Sequence, residues 1–136
     1  MLTQKSVNDL SYAIVGCAIE VHKQLGPGLL ESVYKDCFIE ELSALGFIVI
    51  AEKPVPLEYK GRILQHSLRL DILVNEIIIV EIKAVEQMIP LYQAQLLSYL
   101  KLTKKPKGLL INFNCANIVK QIVPLVTEEF SKLPKE

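Results

Sequence analysis

Two acidic residues and a lysine interrupt the most apolar part of this sequence. Asp71 lies inside the run RLDILV, and Glu81 and Lys83 directly follow the run IIIV. Because Glu81 and Lys83 are two residues apart, their side chains would leave the same face of a strand. Isolated charges buried in a sheet cost several kcal/mol each. The three residues therefore need a chemical or structural reason.

A divalent metal ion would account for paired carboxylates here. Two carboxylates side by side raise each other's pKa unless a cation sits between them. Mg²⁺ takes one or two carboxylates together with waters and substrate phosphate, and it makes a bound water more acidic. Lys83 would orient that water or neutralise developing negative charge. This is the chemistry of phosphodiester hydrolysis, and the alternative is a structural ion pair between Lys83 and one of the acids.

The turn between the two strands determines whether Asp71 and Glu81 meet. A two-residue turn at Asn75 and Glu76 would point Asp71 away from Glu81. A three-residue loop over 75–77 would pair residue 71 with residue 81, and it needs Asn75 or Glu76 at positive φ. If the charges act together, we predict the longer loop.

A polar pair follows on the next predicted helix, PLYQAQLLSYLKL. Gln95 and Tyr99 are four residues apart and lie on one face. They would either face solvent or lie over the carboxylates, where they would hydrogen-bond a phosphate or hold Lys83.

The segment GPGLLESVYK offers further candidates. Glu31 would either pair with Lys35 at the start of a helix or point inward as a third acid. Tyr34, one helical step from Glu31, would place its ring in the core with its hydroxyl free to bond. His22, in the preceding helix, is either a half-buried histidine with a hydrogen-bond partner or a metal ligand.

Hydrophobic periodicity supplies the elements that position these residues. Spacings of three and four predict a helix over 6–25 and a second one that ends at Gly46. Pro90 would open a third helix that reaches about Thr103. Strands are expected at 47–52, 55–60, 62–74, 77–84, 107–113 and 118–126, with a short helix at the C-terminus. The order ααββββαββ predicts one α/β domain, residues 1–136, with helices covering a central mixed sheet.

Composition sets limits on partners and location. The formal net charge is zero, so the chain lacks the basic footprint of a dedicated nucleic-acid binder. No apolar run approaches the ~20 residues of a membrane span, and the N-terminus lacks the features of a secretion signal. The three cysteines are widely spaced and predict reduced thiols in a cytoplasmic protein.

Several motifs in order resemble a known family. GLLESVY resembles the GxxExxY signature, and LRLDILV, IIIVEIKAVE, QAQLLSYLKLT and GLLINFN extend the resemblance over about residues 10–115. The GxxExxY family is assigned to the PD-(D/E)xK nuclease superfamily, which implies a restriction-endonuclease-like core.

The resemblance also implies roles for individual residues. Asp71 and Glu81 correspond to the ligands of Mg²⁺ or Mn²⁺, Lys83 to the catalytic lysine, and Glu31 to an acid that often completes the site. Gln95 and Tyr99 match the QxxxY pattern of the RecB-like branch, in which a histidine such as His22 is sometimes a ligand. The chain departs from the pattern at Leu70, where the family usually has proline.

Three functions are therefore compared below. The first is a Mg²⁺-dependent nuclease acting on DNA, with Lys83, Gln95 and Tyr99 assisting the acids. The second is a non-catalytic nucleic-acid-binding or accessory module, with a homodimer as one form. The third is a structural ion network without a ligand.

Overall fold

The computed structural model describes residues 1–136. Two helices come first: α1 (Gln4–Leu25) and α2 (Glu31–Ala44). Three strands and a helix follow: β1 (Val49–Tyr59), β2 (Arg62–Val74), β3 (Ile78–Lys83) and α3 (Pro90–Thr103). The chain continues with β4 (Lys107–Asn112), a 3₁₀ turn (Ile118–Gln121), β5 (Ile122–Val126) and α4 (Glu128–Ser131).

The five strands form one mixed sheet in the order β1-β2-β3-β4-β5. Only β3 and β4 are parallel, and α3 makes the crossover that joins them. Residues of α1 and α2 pack on one face of the sheet, and Leu96 and Leu100 of α3 pack on the other. This arrangement confirms the predicted class, a central mixed sheet flanked by helices.

The helix boundaries follow from local chemistry. Thr3 and Ser6 form a capping box at the start of α1, and Gly26, at φ 67°, ends that helix. Pro90 occupies the first turn of α3, where its missing N–H costs no helical hydrogen bond. The predicted bounds of α3 are confirmed.

Close packing fixes the height of α3 above the sheet. A Cβ atom built on Gly108 of β4 would lie 3.0 Å from Cδ1 of Leu100 and 3.2 Å from both methyl groups of Leu96. The side chains of Leu96 and Leu100 therefore pack closely on the backbone at Gly108, and a larger residue there would require them to give way by a few tenths of an ångström.

Two strand predictions were wrong. The strands expected at 47–52 and 55–60 are one strand, β1, because Pro54 and Pro56 lie on the edge of the sheet, where a missing N–H breaks no ladder. The strand expected at 118–126 begins only at Ile122, because Asn117 accepts a hydrogen bond from the N–H of Val119 and starts a 3₁₀ turn.

The distal parts of β1 and β2 extend beyond the rest of the sheet. These strands pair with each other as far as Tyr59 and Arg62, whereas β2 pairs with β3 only over Ile72–Val74. We call residues 53–69 the ribbon. None of its residues is buried. Its tip turns through Lys60 (φ 51°) and Gly61 (φ 79°), the positive φ values of a type I′ turn.

No helix has both the length and the apolar character needed to cross a bilayer.

Candidate active site

The loop between β2 and β3 has three residues, 75–77, as predicted from the need to bring Asp71 opposite Glu81. Val74 pairs with Ile78, and both Asn75 (φ 51°) and Glu76 (φ 59°) adopt the left-handed conformation. The Asn75 side chain accepts a hydrogen bond from the N–H of Ile48 at 2.8 Å, which secures the loop. The predicted register is confirmed: continued from Ile72 opposite Val80, it sets residue 71 opposite residue 81.

Asp71 and Glu81 lie where the two strands separate. The ladder between β2 and β3 ends at Ile72 and Val80. Beyond it, the N–H of Ile82 donates to Oδ2 of Asp71 at 2.8 Å, and the N–H of Asp71 donates to Oε1 of Glu81 at 3.3 Å. The two carboxylates therefore replace the carbonyl acceptors that a continued ladder would have supplied.

The geometry of β2 changes at the same point. Leu70 and Leu73 are three residues apart, yet both pack in the cluster beneath α3. Opposite Asp71, Glu52 of β1 has φ 54°, which is unusual for a residue other than glycine. The alternation of side chains is thus interrupted around Asp71, which frees this carboxylate from the regular in-and-out pattern of a strand.

A lysine from α2 neutralises part of this charge. Nζ of Lys35 bonds Oδ1 of Asp71 and Oε1 of Glu52. The Lys35 and Asp71 side chains are 12% and 14% exposed, so their ion pair is largely shielded from water. The pair between Glu31 and Lys35 that local spacing allowed is not the one that forms.

Glu81 is the most perturbed carboxyl group of the site. It is 8% exposed. Burial and, after it, the charge of Asp71 raise its pKa from 4.5 to about 7. The N–H of Asp71 and the charges of Lys83 and Lys35 oppose this shift. Repulsion between the two carboxylates is thus only partly compensated by the protein.

Glu31 belongs to the same electrostatic cluster. It opens α2 one turn before Lys35. Burial and then the charge of Asp71 raise its pKa, while Lys83 and Lys35 lower it. Glu31 is therefore close enough to sense both Asp71 and Lys83, although its residue as a whole is exposed.

Lys83 does not form the structural ion pair that was the alternative interpretation. Its Nζ lies 4.5 Å from the ring centroid of Tyr92, and it makes no salt bridge. An ammonium over an aromatic face is attracted to the ring quadrupole. Tyr92, in the first turn of α3, was missed as a site residue, although its place on the helix next to Gln95 was a usable signal.

Gln95 and Tyr99 interact with each other. Nε2 of Gln95 donates to the Tyr99 hydroxyl at 3.1 Å. Gln95 is exposed, and Tyr99 packs against the cluster beneath α3. No hydrogen bond joins either side chain to Lys83, so the contact between α3 and Lys83 is made by Tyr92.

His22 is held by a different part of the chain. Its Nε2 lies 2.7 Å from the carbonyl oxygen of Cys115, just after β4. Because a carbonyl only accepts, Nε2 must carry the hydrogen, and that nitrogen is not available to a metal. The structure does not bond His22 to any of the acids.

The segment before α2 is anchored by several contacts. This anchoring fixes the first turns of α2, where Glu31 and Lys35 lie. The Tyr34 ring is buried and stacks on Phe113 with centroids 4.9 Å apart. Its hydroxyl donates to the Gly26 carbonyl at 2.5 Å and accepts from the N–H of Leu29 at 3.1 Å. The N–H of Gly28 donates to Oδ1 of Asn114 at 3.1 Å. The hydroxyl bonds account for tyrosine at position 34, and the φ of 99° at Gly28 accounts for glycine there.

The donor set suits a divalent cation in part. No three His, Cys, Asp or Glu side chains lie close enough together to hold a metal ion. Asp71 and Glu81 nevertheless match the one or two carboxylates that Mg²⁺ takes alongside water. Burial and then the charge of Asp71 raise the pKa of Glu81, and a bound cation would offset both effects.

The five-stranded mixed sheet flanked by helices is consistent with a restriction-endonuclease-like fold. A family model described as the PD-(D/E)XK nuclease superfamily matches residues 8–123. The chain belongs to this superfamily. Membership suggests nuclease activity and implies binding of nucleic acid. No curated protein and no solved structure matches the chain.

Proposed function

We propose that the protein is a metal-dependent nuclease that hydrolyses phosphodiester bonds of DNA. The observation that carries the proposal is the meeting of Asp71 and Glu81 in the gap between β2 and β3. The pKa of the Glu81 carboxyl is raised by burial and then by the charge of Asp71, and ionising such a group is costly unless a cation joins it. Membership of a nuclease superfamily supports the same conclusion.

The residues would divide the work as follows. Asp71 and Glu81 would hold Mg²⁺ or Mn²⁺, which supplies a more acidic water and charge stabilisation at a phosphate oxygen. Lys83, held over Tyr92, would orient that water or neutralise charge on the phosphate. Glu31 would assist as a third acid at the start of α2.

Gln95 and Tyr99 would contact the phosphate rather than Lys83. Their mutual hydrogen bond leaves the exposed amide of Gln95 free to donate a second hydrogen bond. His22 is the weakest of the proposed ligands, because it would have to give up its bond to the Cys115 carbonyl to use Nε2.

Narrower assignments rest on the sequence motifs. The Gly28, Glu31 and Tyr34 pattern supports membership of the GxxExxY family, and the Gln95–Tyr99 pattern supports the RecB-like branch. Residues 1–136 would form one nuclease domain, which would act alone or as a homodimer. Three free cysteines support a cytoplasmic location.

One observation favours a second candidate, a non-catalytic nucleic-acid-binding module. Lys35 already pairs with Asp71, so a cation of the protein occupies one of the two oxygens that a metal would use. A site of this kind could keep the nuclease fold and its nucleic-acid surface without holding a metal.

Metal titration by calorimetry separates the two candidates. We expect Mn²⁺ and Mg²⁺ to bind the wild type, and binding to disappear in Asp71→Asn combined with Glu81→Gln. Glu128→Gln combined with Glu129→Gln is the matched control, since it removes two carboxylates from α4, which has no buried residue. Nuclease assays on DNA should show the same pattern.

No metal binding by the wild type, with DNA also present, would reject the enzyme. The protein would then be assigned the binding role.

A further inference from the structure

The ribbon carries a charge that the rest of the chain does not share. Its basic residues are Lys53, Lys60, Arg62 and Arg69, and its acidic residue is Glu58. Four positive and one negative side chain give the ribbon a net charge of +3, whereas the whole chain has a net charge of zero. The ribbon is therefore a basic surface that the overall composition conceals.

The free positive charge is concentrated at the tip. Near the base, Lys53 lies 3.5 Å from Oε1 of Glu76, and Arg69 lies 3.8 Å from Oε2 of Glu52. Lys60 and Arg62 are exposed and form no ion pair. These two side chains therefore have no acidic partner in the protein and can each meet a phosphate.

The ribbon also has a shape that nucleic acid can accommodate. A two-stranded ribbon fits the major groove of B-DNA. At about 3.3 Å per residue, the tip at Arg62 lies roughly 23 Å from the base at Arg69. Asp71 is two residues beyond that base, so a duplex lying along the ribbon would pass the acids.

The β1 edge of the ribbon is poorly suited to pairing with a second copy of this chain. Pro54 and Pro56 pair with Arg69 and Ser67, so they stand on the free edge of the ribbon without an N–H to donate. A strand added at that edge would lack both hydrogen bonds. The exposed large apolar side chains near the tip are Tyr59 and Ile63, and the first is shared with charge, since Nζ of Lys60 lies 5.5 Å from the ring centroid of Tyr59.

We propose that the ribbon is a DNA arm, in which Lys60 and Arg62 bind the phosphate backbone of a duplex and align it with the site at the base. The proposal rests on the proposed function, because the site at the base is assigned to a nuclease. It adds the contact surface and favours duplex over single-stranded DNA as the substrate.

The test removes both charges without disturbing the turn. In Lys60→Asn combined with Arg62→Gln, the tip becomes Asn-Gly, the sequence that type I′ turns favour. The matched control is Lys101→Gln combined with Lys104→Asn. It also removes two exposed lysines, and Lys104, at φ 56°, also has positive φ. That control patch borders Glu128 and Glu129, so we do not expect it to bind phosphate.

Binding is measured by fluorescence anisotropy with a labelled duplex of about two helical turns, in EDTA to prevent cleavage, at several salt concentrations. Each phosphate contact contributes about 0.9 to the slope of log affinity against log salt. The tip variant should therefore lose about 2 from that slope, and about 0.9 log unit of affinity per lost contact at 0.1 M salt. Each single substitution should lose half as much, and the control should match the wild type.

Equal slopes for the tip variant and the wild type would overturn the arm while leaving the nuclease intact. The arm would also be overturned by two results together: the wild type sediments as a dimer, and Ile63→Asp dissociates that dimer without any change in duplex binding. Metal titration reports on the acids alone. Metal binding without binding of any duplex would therefore refute the arm and duplex DNA as the substrate, and the absence of both would refute the proposed function itself.

Discussion

Replacing Glu81 by glutamine should stabilise the metal-free protein at neutral and alkaline pH. The pKa of Glu81 is raised to about 7 in the folded state, chiefly by burial and the charge of Asp71, whereas the usual value is 4.5. At pH values below 4.5, the carboxyl group is protonated in both the folded and unfolded states. As the pH rises towards 7, only the folded protein keeps the proton, so the free energy of unfolding falls. Above about pH 7, Glu81 is ionised in both states, and the loss in the free energy of unfolding no longer changes with pH.

The magnitude follows from that difference in pKa. At 1.36 kcal/mol per unit, a rise from 4.5 to about 7 corresponds to a loss of about 3 kcal/mol. Since the whole stability of a small protein is about 5–15 kcal/mol, a change of this size is easily measured. Glutamine has nearly the same shape and its carbonyl oxygen can still accept from the N–H of Asp71, but it does not titrate.

Urea unfolding in EDTA at about pH 5 and about pH 8 measures the effect. The wild type should lose stability between the two, and Glu81→Gln should lose less and exceed the wild type at the higher pH. Glu86→Gln, on the exposed loop after β3, controls for the loss of one carboxylate. Added Mg²⁺ should raise the stability of the wild type and leave that of Glu81→Gln nearly unchanged.

A variant that is less stable than the wild type at about pH 8 would contradict this reasoning. It would mean that Lys35 and Lys83 compensate the charge of Glu81 fully, and that the acids form a structural ion network.

Three further outcomes follow from the same contacts. Lys35→Met should raise the affinity for Mn²⁺ about tenfold in calorimetry, because it removes the ammonium that competes for Asp71; equal affinities would show that Lys35 does not compete. Asp71→Asn should lower the free energy of unfolding by about 1–3 kcal/mol, the opposite sign to Glu81→Gln, because Lys35 loses its buried partner. Tyr34→Phe should cost about 1–2 kcal/mol in urea unfolding, because the Gly26 carbonyl and the Leu29 N–H lose the hydroxyl; Tyr12→Phe, at an exposed position, is the control.

Local patterns predicted the framework of the site correctly. Apolar periodicity and Pro90 located α3, and the need to bring Asp71 opposite Glu81 predicted the three-residue loop. These features depend on a few consecutive residues, so they can be predicted from the local sequence alone. The same local logic failed at β1, where it predicted two strands, 47–52 and 55–60, instead of one. The position of Pro54 on the sheet edge depends on the whole topology, which local patterns do not contain.

The role of Lys35 could not be predicted in this way. Its spacing from Glu31 offered a pair within one helix, while its real partners, Glu52 and Asp71, come from two strands. Which pair forms depends on how α2 packs on the sheet. Tyr92 illustrates the same limit, since its contact with Lys83 depends on how closely α3 approaches β3.

Gly108 gives the site a dependence on a residue that touches none of its charges. Leu96 and Leu100 rest on the backbone at Gly108, and this contact sets the distance of α3 from the sheet. Gly108 pairs with Ile79, four residues before Lys83 on the same strand. Even a single added methyl group would press on the methyl groups of Leu96 and Leu100, which must give way by a few tenths of an ångström, and any movement of α3 would carry Tyr92 with it. The contact between Lys83 and Tyr92 thus depends on the absence of a side chain at Gly108, which lies beside the opposite end of β3.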